Sequence, residues 1–86
     1  MTKYLVLWEH WQGSGDALPD VKEDLEKGIL KDWGIFATTG RGYVILEASN
    51  EIEVFQLLAK YRKYDIRAIN AEPVLSVEQF EKLRKG

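Results

Sequence analysis

The chain has no cysteine, which excludes disulfides, thiolate nucleophiles and cysteine-ligated zinc or iron–sulfur sites. With a single histidine, His10, a multi-histidine metal centre within one chain is excluded too, and no resident cofactor is expected. The absence of disulfides fits a reducing compartment, so the expected location is the cytoplasm. Long hydrophobic runs are also missing. The apolar stretch Tyr4-Leu5-Val6-Leu7-Trp8 meets Glu9 too soon to be a signal sequence or a membrane span, so no membrane partner is expected. Nor is there an excess of positive charge. Twelve Lys and Arg stand against 14 Asp and Glu, a formal charge of −2, which gives no general attraction to nucleic acid or anionic lipid. The cations cluster where helices would end, at Lys60, Arg62 and Lys63 and again at Lys82, Arg84 and Lys85, and there they complement the helix dipole. Gln12-Gly13-Ser14-Gly15-Asp16 is a loop composition that lacks the longer pattern of a nucleotide cradle.

What is present reads as one domain spanning residues 1–86, with no linker and no internal repeat. Tyr4 to Trp11 alternates in period two, but both of its faces are apolar, as expected of a strand covered on both sides. Leu18, Val21 and Leu25 recur at helical spacing behind an acidic first turn, and Gly28 is placed to stop that helix in the left-handed conformation. Trp33–Thr39 and Gly42–Ala48 form a hairpin, read with Gly40-Arg41 as a two-residue type II′ loop. That register sets Thr39 opposite Gly42, Thr38 opposite Tyr43, Ala37 opposite Val44, Phe36 opposite Ile45 and Ile35 opposite Leu46. Ser49 or Asn50 can cap a second helix, Asn50 making a capping-box-like pair with Glu53, and the apolar stripe of that helix is read as Ile52, Phe55, Leu58 and Tyr61. A fourth strand runs from Tyr64 to Val74, its faces blurred by Arg67 and Asn70 and its pairing limited by Pro73. Ser76 with Gln79 is a capping box, flanked by the staple residues Leu75 and Phe80, and starts a short last helix.

The order is therefore α+β: ferredoxin-like β-α-β-β-α-β with a short C-terminal helix and an antiparallel four-stranded sheet, both long helices lying on one face. The reading places Leu5, Leu7, Val44 and Leu46 beneath the helices. Tyr4, Val6, Trp8, His10, Phe36, Tyr43 and Ile45 are left on a bare face, too apolar for a monomer surface. A second copy of the chain is the expected cover, since two-fold dimers are the commonest oligomers and 86 residues bury little core alone.

Several stretches resemble the dimeric α+β barrel superfamily, and within it a small single-domain family of unknown function. They are Tyr4-Leu5-Val6-Leu7-Trp8, Lys27-Gly28-Ile29-Leu30, Gly42-Tyr43-Val44-Ile45-Leu46-Glu47-Ala48 and Ala71-Glu72-Pro73-Val74-Leu75. The resemblance covers nearly the whole chain and implies a homodimer. It carries no catalytic signature, and related branches include cofactor-free and haem-using monooxygenases, isomerases and ligand-sensing domains. The residues point to a pocket for a small, partly apolar molecule near Trp8, His10, Tyr43 and Glu47, between the sheet and the dimer partner. The alternative is a small monooxygenase or isomerase with His10 or Glu47 as base or ligand. Trp11 and Trp33 are further aromatics able to line a pocket, although such residues more often fill a small core or interface. A rival RNA-binding reading starts from Arg41-Gly42-Tyr43, which opens like an RNP1 motif; it fails at Val44, Ile45 and Ala48, so nucleic acid is not an expected partner.

Overall fold

The computed structural model describes residues 1–10 and 15–85. Trp11 and most of the loop expected at Gln12–Asp16 lie outside the described residues. The elements run β1 (Thr2–His10), α1 (Leu18–Glu26), β2 (Leu30–Ile35), β3 (Arg41–Ala48), α2 (Glu51–Leu58), 3-10 turns over Ala59–Tyr64, β4 (Ile66–Val74) and α3 (Val77–Lys85). The strands form one antiparallel sheet in the order β2-β3-β1-β4, the ferredoxin-like order expected from the sequence. Pro73 sits in β4, an edge strand, where a missing N–H is tolerated.

Helix ends follow local sequence chemistry. Gly28 has φ +74° and its N–H donates to Leu25 O, while Ile29 N–H donates to Asp24 O. These two bonds make a Schellman motif that turns the chain directly into β2. The Asn50 side chain accepts from Glu53 N at 2.9 Å, and Ser49 N donates back to Glu53 Oε1 at 3.1 Å. At α3 the box is reciprocal: Gln79 N donates to Ser76 Oγ and Ser76 N to Gln79 Oε1.

The face of β1 is the reverse of the sequence reading. Tyr4, Val6 and Trp8 lie under the helices with Val44 and Leu46, and all five are buried. Leu5 and Leu7 stand opposite Ile45 and Tyr43 on the open face. Periodicity alone could not phase a strand that is apolar on both sides; the register with β3 does. The hairpin differs as well. Ile35 pairs with Gly42, Gly34 with Tyr43 and Trp33 with Val44, a four-residue displacement that preserves which residues share a face. Phe36 to Gly40 therefore form a longer loop, closed by Phe36 N donating to Arg41 O at 2.8 Å.

Two glycines set this register. A Cβ on Gly34 would lie 2.1 Å from the Tyr43 ring, and one on Gly42 would lie 2.2 Å from both Gly34 O and the Trp8 ring. Each glycine thus leaves room for an aromatic ring from the neighbouring strand, one on each side of the sheet. Two irregularities complete the alignment. The break in pairing between Leu30 and Asp32 makes Lys31 the extra residue, so that Leu30 and Trp33, three positions apart, both meet the helix side. A second break in β4 leaves Ile69 unpaired and keeps Ala68 and Ala71 beneath the helices, resolving the blurred alternation of that strand.

The core comprises Tyr4, Val6, Trp8, Val21, Leu30, Val44, Leu46, Ala48, Val54, Leu58, Tyr61 and Ile66. The stripe of α2 is Val54, Leu58 and Tyr61 rather than the expected Ile52, Phe55, Leu58 and Tyr61. Ile52 is 70% exposed and Phe55 is partly exposed, because Val54, not Ile52, shares an angular position with Leu58 and Tyr61. No residue of α3 is buried, and Leu75, Val77, Phe80 and Leu83 are exposed. The radius of gyration is 14.1 Å, against about 12 Å for a compact chain of this length.

Gly42→Ala is expected to destabilise the fold by about 3 kcal/mol or more, because backbone as well as ring must move. Gly40→Ala, at φ +67° in open space, should cost only about 1–2 kcal/mol. Urea unfolding of the two variants checks the difference.

Candidate functional site

The helix side of the sheet does not close fully. A cavity of about 410 Å³ lies between β1, β2, β3 and β4 on one wall and α2 with the 3-10 turns on the other. Trp8, Trp33, Val44, Ile66 and Ala68 supply the sheet wall, and Phe55, Leu58, Ala59, Tyr61 and Arg62 the helical one. This size is within the usual range for small-molecule sites, about 300–1,000 Å³.

The aromatic wall follows from the register. Once Gly42 admits the Trp8 ring and the β2 bulge turns Trp33 inward, the two indoles stack with centroids 5.0 Å apart and planes at 29°. Tyr61 continues the row, 5.2 Å from Trp33 and tilted at 42°. Such aromatic pairs contribute about 0.5–1.5 kcal/mol beyond their area burial. Trp8 Nε1 is buried without a hydrogen-bond partner among the described residues, an uncompensated donor in this aromatic wall.

A polar clamp fixes the helical wall. The Tyr61 hydroxyl donates to Asp24 Oδ2 at 2.7 Å, and Lys60 Nζ lies 2.5 Å from the same oxygen. Asp24 is 1% exposed, so the carboxylate of α1 is held inside by a phenol and an ammonium from the 3-10 turns. One helical turn earlier the pattern repeats near the surface: Tyr64 Oη donates to Asp20 at 2.7 Å and Lys63 lies 3.3 Å away. Burial, and next the bond to Asp24, pushes the Tyr61 phenol well above its usual range. The bond from Tyr64, with Lys63 beside it, holds Asp20 below the ordinary carboxylate value. This network was not anticipated, although Asp20 and Asp24 four apart, matched to Lys60-Tyr61 and Lys63-Tyr64 three apart, was a signal available in the sequence.

The four residues singled out from sequence do not meet in one place. Trp8 lines the cavity; His10 is exposed at the end of β1, paired across the strands with Ile66. Tyr43 is on the open face, its hydroxyl donating to Asp32 Oδ2 at 2.8 Å and its ring 6.2 Å from Phe36. That bond is the chief reason the Tyr43 phenol titrates above its usual value. Glu47 is exposed on the same open face, opposite Lys3. Reversal of the β1 face separates Trp8 from Tyr43 and Glu47 by the thickness of the sheet. Trp33, expected rather to fill core or interface, lines the cavity, and Arg62, read as a helix-end cation, also stands at its edge. Among the described residues, no group of three or more His, Asp or Glu side chains is arranged to hold a metal ion, and no helix is long and apolar enough to cross a membrane.

Tyr61→Phe is expected to destabilise the fold by about 1–3 kcal/mol, because it strips a buried carboxylate of one partner. Tyr64→Phe, at the half-buried counterpart, should cost less. The raised Tyr61 value means that its contribution is intact below about pH 10, the value of an unfolded tyrosine, and fades as pH rises above it. Urea unfolding between about pH 9 and pH 11 should show a steeper alkaline decline for the parent than for Tyr61→Phe.

No family model, curated protein or solved structure matches this chain, so the reading of the site rests on its own geometry.

Proposed function

We propose that the protein is a homodimeric α+β barrel domain that binds a small, partly apolar molecule in the cavity between its sheet and the α2 side. The observation that carries the binding reading is the cavity itself, walled by Trp8, Trp33 and Tyr61 and bordered by a buried indole donor without an acceptor. The ligand position differs from the one expected from sequence, between the sheet and a dimer partner near Trp8, His10, Tyr43 and Glu47. The open face and the cavity have separate roles in this reading.

Dimerisation is supported by the other side of the sheet. Leu5, Leu7, Phe36, Tyr43 and Ile45 form an apolar, partly exposed band on the side of the sheet away from the core, and α3 carries a second exposed apolar stripe. A second copy laid face to face on the sheet buries the band and adds the core that so short a chain lacks.

Two measurements test the proposal. Light scattering behind size exclusion should give twice the chain mass of 9.9 kDa, and Ile45→Glu, which places a charge in the apolar band, should shift the protein to monomer or unfold it. A parent monomer at micromolar concentration refutes the dimer. For the cavity, 2-naphthylmethanol titrated into 15N-labelled protein should move the Trp8 and Trp33 indole N–H resonances. Ala68→Phe, which fills the space beside Trp8, should abolish that response in a variant whose circular dichroism is unchanged. Absence of any shift in the parent removes the binding reading.

A further inference from the structure

The charges around the cavity are not evenly satisfied. Lys60 is held by Asp24, Lys63 by Asp20 and Arg67 by Asp65 at 3.2 Å. Arg62, which sits among them and borders the cavity, has no carboxylate partner among the described residues. The lining contains two arginines and no Asp or Glu, in a chain whose net charge is −2. An acidic protein has thus placed its carboxylates so as to neutralise the neighbouring cations and leave one guanidinium uncommitted at the edge of an aromatic-walled space.

We infer that the cavity takes an anionic ligand with an aromatic or aliphatic body, a small organic carboxylate, whose apolar part lies along Trp8, Trp33 and Phe55 and whose carboxylate is bound by Arg62. A guanidinium offers two parallel N–H donors to a carboxylate, and a charge-assisted pair of that kind at the edge of a low-dielectric pocket is stronger than a neutral hydrogen bond. Arg67 borders the same space, but its guanidinium is already engaged by Asp65. The inference rests on the reading of the cavity as a ligand site and adds the chemical class and the residue that selects it.

The test compares two probes of nearly the same shape, 2-naphthoate and 2-naphthylmethanol, titrated into the parent, Arg62→Gln and Arg67→Gln while the indole N–H resonances are followed. Arg62 is exposed, so its variant should keep the parent's circular dichroism and melting temperature. In the parent, naphthoate should bind about tenfold or more tightly than the alcohol. Arg62→Gln should remove that preference and leave affinity for the alcohol unchanged, whereas Arg67→Gln should retain it. Equal affinities in the parent overturn the anionic class while leaving a small-molecule site standing. A preference that survives Arg62→Gln and disappears in Arg67→Gln overturns the assignment to Arg62. If neither probe binds, the ligand-site reading fails and this inference fails with it.

Discussion

The fit of the Trp8 ring over Gly42 is the contact on which the rest of the structure depends. Any side chain at position 42 would collide with both the indole and the backbone of Gly34, so the presence of glycine there fixes how closely β1, β3 and β2 approach. Gly34 takes the Tyr43 ring in the same manner on the other side of the sheet. With those two pairs seated, the register of three strands follows, and a one-residue slip would drive rings into backbone as well as exchange the faces. The stack of Trp8 on Trp33 and of Trp33 on Tyr61 follows from that register, and the cavity is the space left where the stack meets α2.

The second constraint is Asp24. A carboxylate buried to this degree is tolerated only with its oxygens engaged, and its partners, Lys60 and Tyr61, come from the 3-10 turns between α2 and β4. The clamp therefore determines where those turns lie against α1. Tyr61 belongs to both systems: its hydroxyl serves the carboxylate and its ring faces Trp33. Arg62, the next residue, is carried on the same turns, which places it at the border of the cavity.

Much of the fold was legible because its signals are local. Gly28 as a helix stop, Asn50 and Ser76 as caps, the order of strands and helices, and Val44 and Leu46 as the inner face of β3 all depend on a few adjacent residues. The errors arose where neighbours in space decide. The first strand is apolar on both faces, so alternation could not say whether Val6 or Leu5 points inward. Gly40-Arg41 has the composition of a tight turn, but Gly34 and Gly42 are needed opposite aromatic rings, and that requirement lengthens the loop. The bulge at Lys31 is what brings Trp33 to the helix side, and no periodicity rule carries across it. The site was half visible for the same reason. Trp8 and Trp33 stood out by bulk alone, while Tyr61, Asp24 and Arg62 acquire meaning only when α1 and the 3-10 turns are placed together.

The two faces of the sheet explain why aromatic residues are so unevenly used in a small domain. On the inner side, Trp8, Trp33 and Tyr61 stack in a row that walls the cavity, and replacing any of them by a smaller aliphatic side chain would enlarge that space. On the outer side, Leu5, Leu7, Ile45 and the Phe36–Tyr43 pair make an apolar band. A cover over that band would leave the inner cavity and Arg62 accessible from the α2 edge. The two faces thus carry separate aromatic features in one thin sheet, because the glycines that fix the register send one aromatic ring to each side.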